Sequence, residues 1–263
     1  MKKIVIISLL LLLALSAFAE RKALVMANWT YPNASLTSPK ADADTVSATL
    51  TSLGFSVTRF NNLSITDFKT AIDTFAVKTK ATDEVVVYYS GHGIKYNNNN
   101  YMVPSGTDLG KPQLYNKTSY NIGSMADKLK HAKTSILIIE ASRSWAPSGI
   151  KSPVPLSFAP PSNNNPNQLI ILSAEPGQTV QNSNLPLSLF SSTLVRYLAT
   201  SETGINAFFP ALSSEIMKNT NNLQKPFKTG TLQNDFKFNT NTLKGMWKGM
   251  SPMEIEGGGS ISW

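Results

Sequence analysis

The chain has 263 residues, 41% of them hydrophobic and only 15% charged, which suits one α/β core with appendages and excludes a disordered chain. It contains no cysteine, so disulfides, thiolate metal sites and thiol catalysis are excluded together. The formal charge of +8 comes from scattered Lys and Arg; without a basic stripe interleaved with aromatics, nucleic acid is not an expected partner.

Lys2 and Lys3, an apolar run from Ile4 to Leu15, and Ser16-Ala17-Phe18-Ala19 make the pattern of a secretory signal peptide over residues 1–19, cut near Ala19. The run is short for a membrane span and no later segment supplies one. The processed chain is therefore expected to be periplasmic or secreted, at a charge of +6 once Lys2 and Lys3 leave, with no stable membrane anchor.

Ala23-Leu24-Val25-Met26 opens the next segment as a strand, and Phe55 to Thr58 gives a weaker one. Between them Ser38 and Pro39 start a helix whose Val46, Leu50 and Leu53 recur at helical spacing and which Gly54 stops. Ser64 and Asp67 form a capping arrangement ahead of Phe68, Ile72 and Phe75. Val85 to Tyr89, Ile136 to Ile139 and Leu169 to Leu172 are continuously apolar, as strands buried on both faces are. Further helices are expected over about 124–130, 187–198 and 211–217, and Asn97 to Asn100 reads as a hairpin tip.

Strands alternating with helices imply a mostly parallel sheet with helices on both faces, a three-layer α/β sandwich. Residues 146–167, rich in Pro, Ser and Asn, read as a long exposed loop, and 240–263 as a mobile tail. Met246, Trp247, Met250 and Trp263 in that tail could dock on a partner or on the domain itself.

Two strands end in residues that carry chemistry, at the carboxyl end where open α/β sheets gather their ligands. One runs into Ser90-Gly91-His92-Gly93, and the other into Glu140-Ala141-Ser142-Arg143. His131 reads as a solvated helix-end residue, and Asp42 and Asp44 as ordinary first-turn acids. Two distant histidines and no cysteine give no transition-metal site, and no cofactor is expected.

The Ser-Gly-His-Gly and Glu-Ala-Ser-Arg elements, about 50 residues apart, resemble those of the caspase and metacaspase peptidases. The likeness extends through Lys22 to Asn28, Ala41-Asp42-Ala43 leading into Leu53-Gly54-Phe55, Asn100 to Pro104, and Ile171 to Gly177, covering about residues 22–198. It implies a caspase-like sandwich over 20–239, a catalytic pair at His92 and Ser142, and an oxyanion hole from the amides of Gly93 and Ser142. It also suggests a groove near Ser173, Glu175 and Gln178, and a peptide or protein segment as partner. Bacterial members carry Asp-Ala-Cys-Arg at the second element; here Ser142 replaces the cysteine and Glu140 the acid. A hydroxyl needs a well-oriented general base where a thiol does not. The leading expectation is an exported pseudopeptidase that binds peptides. The alternatives are an active Ser142–His92 peptidase and a cysteine peptidase carrying a Cys-to-Ser replacement.

Overall fold

In β1 (Arg21–Ala27), Ala23, Val25 and Ala27 point into one apolar cluster while Leu24 and Met26 point into another. This period of two, with every residue from Ala23 to Ala27 buried, is what a strand covered on both faces requires. The computed structural model describes residues 19–32, 34–141, 157–163, 165–180 and 185–240.

After β1 come α1 (Pro39–Ser52), β2 (Ser56–Asn61), α2 (Ile65–Lys78) and β3 (Glu84–Ser90). A hairpin, β4 (Gly93–Tyr96) and β5 (Asn99–Met102), is followed by the single turn α3 (Tyr115–Thr118) and β6 (Tyr120–Asn121). The chain continues through α4 (Ile122–Leu129), β7 (Thr134–Glu140), β8 (Gln168–Leu172), α5 (Leu189–Thr200), α6 (Ile205–Asn219) and β9 (Phe227–Thr231). The main sheet has the order β2-β1-β3-β7-β8-β9, all parallel except β9. One cluster packs α1, α5 and α6 on one face, and the other packs α2 and α4 on the opposite face. The expected three-layer architecture is the observed one.

Local chemistry explains most boundaries. Ser64 caps α2, its hydroxyl accepting the Asp67 amide at 3.2 Å and donating to the Asp67 carboxylate at 2.7 Å. Phe68 on that helix is fully buried between Tyr89 and Tyr120, with ring centroids 5.7 and 5.8 Å away; truncating such a ring to alanine costs about 3–5 kcal/mol. Asn97 and Asn98 take φ of 47° and 61° at the tip between β4 and β5, a left-handed turn that Asn tolerates. Gly54, at φ 84°, follows the end of α1 as expected.

Four expectations need correction. Ser38 precedes α1 in helical backbone and makes no side-chain cap; its carbonyl accepts the Asp42 amide instead. The last helix is twice as long as its pattern suggested, Ile205–Asn219, because Pro210 sits inside its second turn without ending it. β9 was not anticipated, since Lys228-Thr229-Gly230-Thr231 lacks an apolar run and pairs as an edge strand. Within the stretch read as an exposed loop, Phe158 and Ala159 are buried, and Asn100 exchanges hydrogen bonds of 2.8 and 2.7 Å with the Ala159 backbone.

Candidate active site

β3 and β7 are adjacent and parallel, with Ser90 opposite Glu140, and the Gly91 amide donates to the Glu140 carbonyl at 3.2 Å. His92 lies two residues beyond the end of β3. Ser142 follows two residues beyond the end of β7 and is outside the described residues. β3 and β7 therefore end side by side, about 4.8 Å apart, at the same end of the sheet.

His92 is 1% exposed and held from several sides. Its amide donates to the Tyr31 hydroxyl at 3.2 Å, its carbonyl accepts the Val103 amide at 3.0 Å, and the Tyr31 ring meets the imidazole edge-on at 4.6 Å. Nε2 lies 2.7 Å from the Ala34 carbonyl. A carbonyl oxygen only accepts, so this contact puts the proton on Nε2 and makes Nδ1 the acceptor nitrogen of the neutral ring. The loop carrying Ala34 is closed by the Leu36 amide on the Trp29 carbonyl at 2.9 Å, and by Ser35, whose hydroxyl bonds both the amide and the carbonyl of Tyr31.

Gly93 begins β4 where the backbone passes hard against Ala141 and Phe158; a β-carbon there would overlap the Phe158 ring and the Ala141 methyl. No other residue type fits that approach unchanged. The same contact ties the hairpin after His92 to the residue that immediately precedes Ser142.

Beneath this end of the sheet, on the face covered by α1 and α5, lies a buried polar network. Glu140, fully buried, accepts the hydroxyls of Ser188 and Ser191 on Oε2 at 2.8 and 2.7 Å. Ser188 caps α5, its hydroxyl accepting the Ser191 amide at 3.0 Å, and the Tyr88 hydroxyl lies 2.6 Å from that of Ser191. Asp42, also fully buried, accepts the Ser90 hydroxyl at 2.9 Å and the Ser188 amide at 2.8 Å. It is thus no ordinary surface acid of a helix start. Its place on the stripe with Val46 and Leu50, at i+4 and i+8, was the signal that it faces inward. Asp44, by contrast, pairs with Lys40 and Arg59 at the surface.

Ser173, Glu175 and Gln178 follow β8 at the same sheet end, joined to the segment between α6 and β9. The Ser173 carbonyl accepts the Gln224 side chain at 2.9 Å, Glu175 pairs with Lys225 at 3.0 Å, and the Gln178 side chain accepts the Lys225 amide at 2.9 Å. Ser173 is fully buried. His131 is exposed, and its Nε2 lies 2.9 Å from the Thr79 carbonyl, far from this end of the sheet. Sequence reasoning missed Tyr31, Ala34 and Ser188. A backbone carbonyl such as that of Ala34 leaves no trace in side-chain chemistry, whereas Ser188, three residues before Ser191 at a helix start, fits a capping pattern.

Open α/β sheets gather their ligands at the carboxyl ends of their strands, and there this chain holds a buried, backbone-anchored histidine beside the end of a neighbouring strand. The family model for the caspase domain matches residues 20–237, and the chain belongs to that family of peptidases. Among solved structures it is similar to caspase-1 from Spodoptera frugiperda, at 20% identity over 84% of this chain and 92% of that one, with a TM-score of 0.62. No curated protein matches.

Proposed function

We propose that this caspase-domain protein is exported and holds a peptide or protein segment at the cleft beside His92, with its peptidase chemistry impaired because Ser142 stands where the family carries its nucleophilic cysteine. The observation that carries this reading is the contact between His92 Nε2 and the Ala34 carbonyl. Serine hydrolases put a carboxylate against the donor nitrogen of their histidine, which steadies the imidazolium formed as the hydroxyl is deprotonated. Here that nitrogen is bound to a neutral carbonyl. Such support suffices for a thiol, which ionises near a pKa of about 8.5 and lower beside an imidazole. For a hydroxyl it is weak, because a neutral carbonyl orients the imidazole without stabilising the charge it gains when it takes the proton.

In this reading the Gly93 amide donates to the carbonyl oxygen of the bound peptide. The two carboxylates under the cleft, Asp42 and Glu140, make a cationic residue a better electrostatic match than an aspartate. The pattern at residues 1–19 supports export.

The test is hydrolysis of fluorogenic peptides ending in Arg, Lys or Asp by the unmodified chain and by the Ser142→Cys variant. Cleavage gained only by the variant supports an impaired peptidase with an intact cleft. Cleavage by the unmodified chain, abolished in Ser142→Ala, overturns it in favour of a serine peptidase. The codon at position 142 in the source gene separates a natural serine from a replaced cysteine.

A further inference from the structure

The end of the main sheet away from His92 carries a buried carboxylate of its own. Asp83, fully buried, closes the turn before β3, and its Oδ2 accepts the Lys80 amide at 2.8 Å and the Lys22 ammonium at 2.7 Å. Its Oδ1 accepts the backbone nitrogen of Glu20 at 3.2 Å. That nitrogen is fixed in place, because the Glu20 carbonyl accepts the Glu84 amide at 2.9 Å and extends the β1–β3 ladder by one position. Ala19 and Glu20 are exposed.

The signal-peptide pattern of residues 1–19 ends at this same nitrogen. We propose that Asp83 is the seat of the N-terminus that processing creates, so that removal of residues 1–19 turns a neutral amide contact into an ion pair on a buried carboxylate and tightens the base of the sheet. This seat presupposes the export signal proposed above. The step is hydrolysis by a signal-processing peptidase. Water adds across the Ala19–Glu20 bond, Ala19 departs with the new carboxyl group, and the proton of that acid passes to the Glu20 nitrogen, which becomes an ammonium.

An ammonium here has three donors and a full charge where the amide has one donor and none, and charge-assisted hydrogen bonds are about twice as strong as neutral ones. Lys22 also faces the site, but it shares Asp83, pairs with the Glu20 carboxylate at 3.2 Å and donates to the Lys78 carbonyl at the end of α2. Lys80 pairs with the Glu20 carboxylate at 3.6 Å, and Glu84 is taken by Arg21 at 3.5 Å and Lys133 at 3.1 Å. Water screens the half-exposed Lys80, whereas Asp83 touches the nitrogen from a site without solvent, so attraction wins. The α-amine is then held above its ordinary pKa of about 7.7–8.0. Its contribution is full below that ordinary value and is lost as pH rises through the raised one.

The experiment is urea unfolding of the chain made to begin at Glu20, with its amine free or Nα-acetylated; the acetyl group restores the amide that precedes processing. At pH 6.5 the free form should have a folding equilibrium constant about tenfold larger, equivalent to a pKa raised by about one unit. The advantage should vanish above about pH 10 and in Asp83→Asn. Equal stabilities at pH 6.5, or an advantage that survives Asp83→Asn, overturn the seat. The intact mass of the full chain after export reads the cut independently. A product beginning at Glu20 supports the proposal, and one beginning elsewhere overturns the cut at Ala19, and the seat's role with it, whatever the unfolding curves show.

Discussion

Replacing Glu140 by alanine removes the acceptor that joins the end of β7 to the start of α5. Its Oε2 takes two hydroxyl hydrogen bonds, from Ser188 and Ser191, at zero side-chain exposure. Hydrogen bonds to a charged group contribute about 1.5–3 kcal/mol each, and stranded buried donors cost about 1–3 kcal/mol more. Some of this is recovered, because Ser191 keeps Tyr88 within 2.6 Å and Ser188 keeps the Ser191 amide. The expected net loss is about 3–5 kcal/mol, a large share of a typical domain's 5–15 kcal/mol. Glu140→Gln, which retains one acceptor oxygen, should lose only about half as much. Urea unfolding followed by tryptophan fluorescence measures both, and a double-mutant cycle with Ser191→Ala should show coupling of about 1–3 kcal/mol. A Glu140→Ala loss below about 0.5 kcal/mol, or additivity with Ser191→Ala, would refute the network as a structural joint.

Two further outcomes follow from the geometry. Burial by itself would raise the Asp83 carboxyl, but the Lys22 ammonium and the amides of Lys80 and Glu20 outweigh it and hold the group below its ordinary value. Its contribution is therefore full above the ordinary aspartate range and lost as pH falls through the depressed value. Asp83→Asn should destabilise the fold by about 1–3 kcal/mol at neutral pH, with the gap from the parent closing in urea titrations at acid pH; a constant gap would contradict it. Gly93→Ala should cost about 1–3 kcal/mol by overpacking against Phe158 and Ala141, and in a Ser142→Cys background it should cut activity more than its melting shift explains. Unchanged activity would show that the Gly93 approach does not set the cleft.

The sheet was legible because its strands are buried on both faces, and an apolar run such as Val85 to Tyr89 has few other uses in a chain this polar. His92 stood out for the same reason, as a polar group immediately beyond such a run. What escaped notice depends on contacts between distant segments. Asp42, Glu140 and Ser188 come from three elements, and their burial is a property of the assembled sheet end. The Ala34 carbonyl that sets the tautomer of His92 is a main-chain group any residue could supply. β9 was hidden because an edge strand is held by its neighbour's hydrogen bonds more than by its own apolar side chains. Ser142, the pivot of the sequence argument, lies outside the described residues, so its role rests on its place in the chain beyond β7.

The central claim is that His92 Nδ1 and the side chain at position 142 share one cleft. Because the chain has no cysteine, the Ser142→Cys variant carries a single thiol whose ionisation can be followed by the pH dependence of its alkylation. The account predicts a thiol pKa well below about 8.5 that returns to that value when His92 is replaced by alanine. An ordinary thiol pKa in the variant, unaffected by the loss of His92, would contradict it.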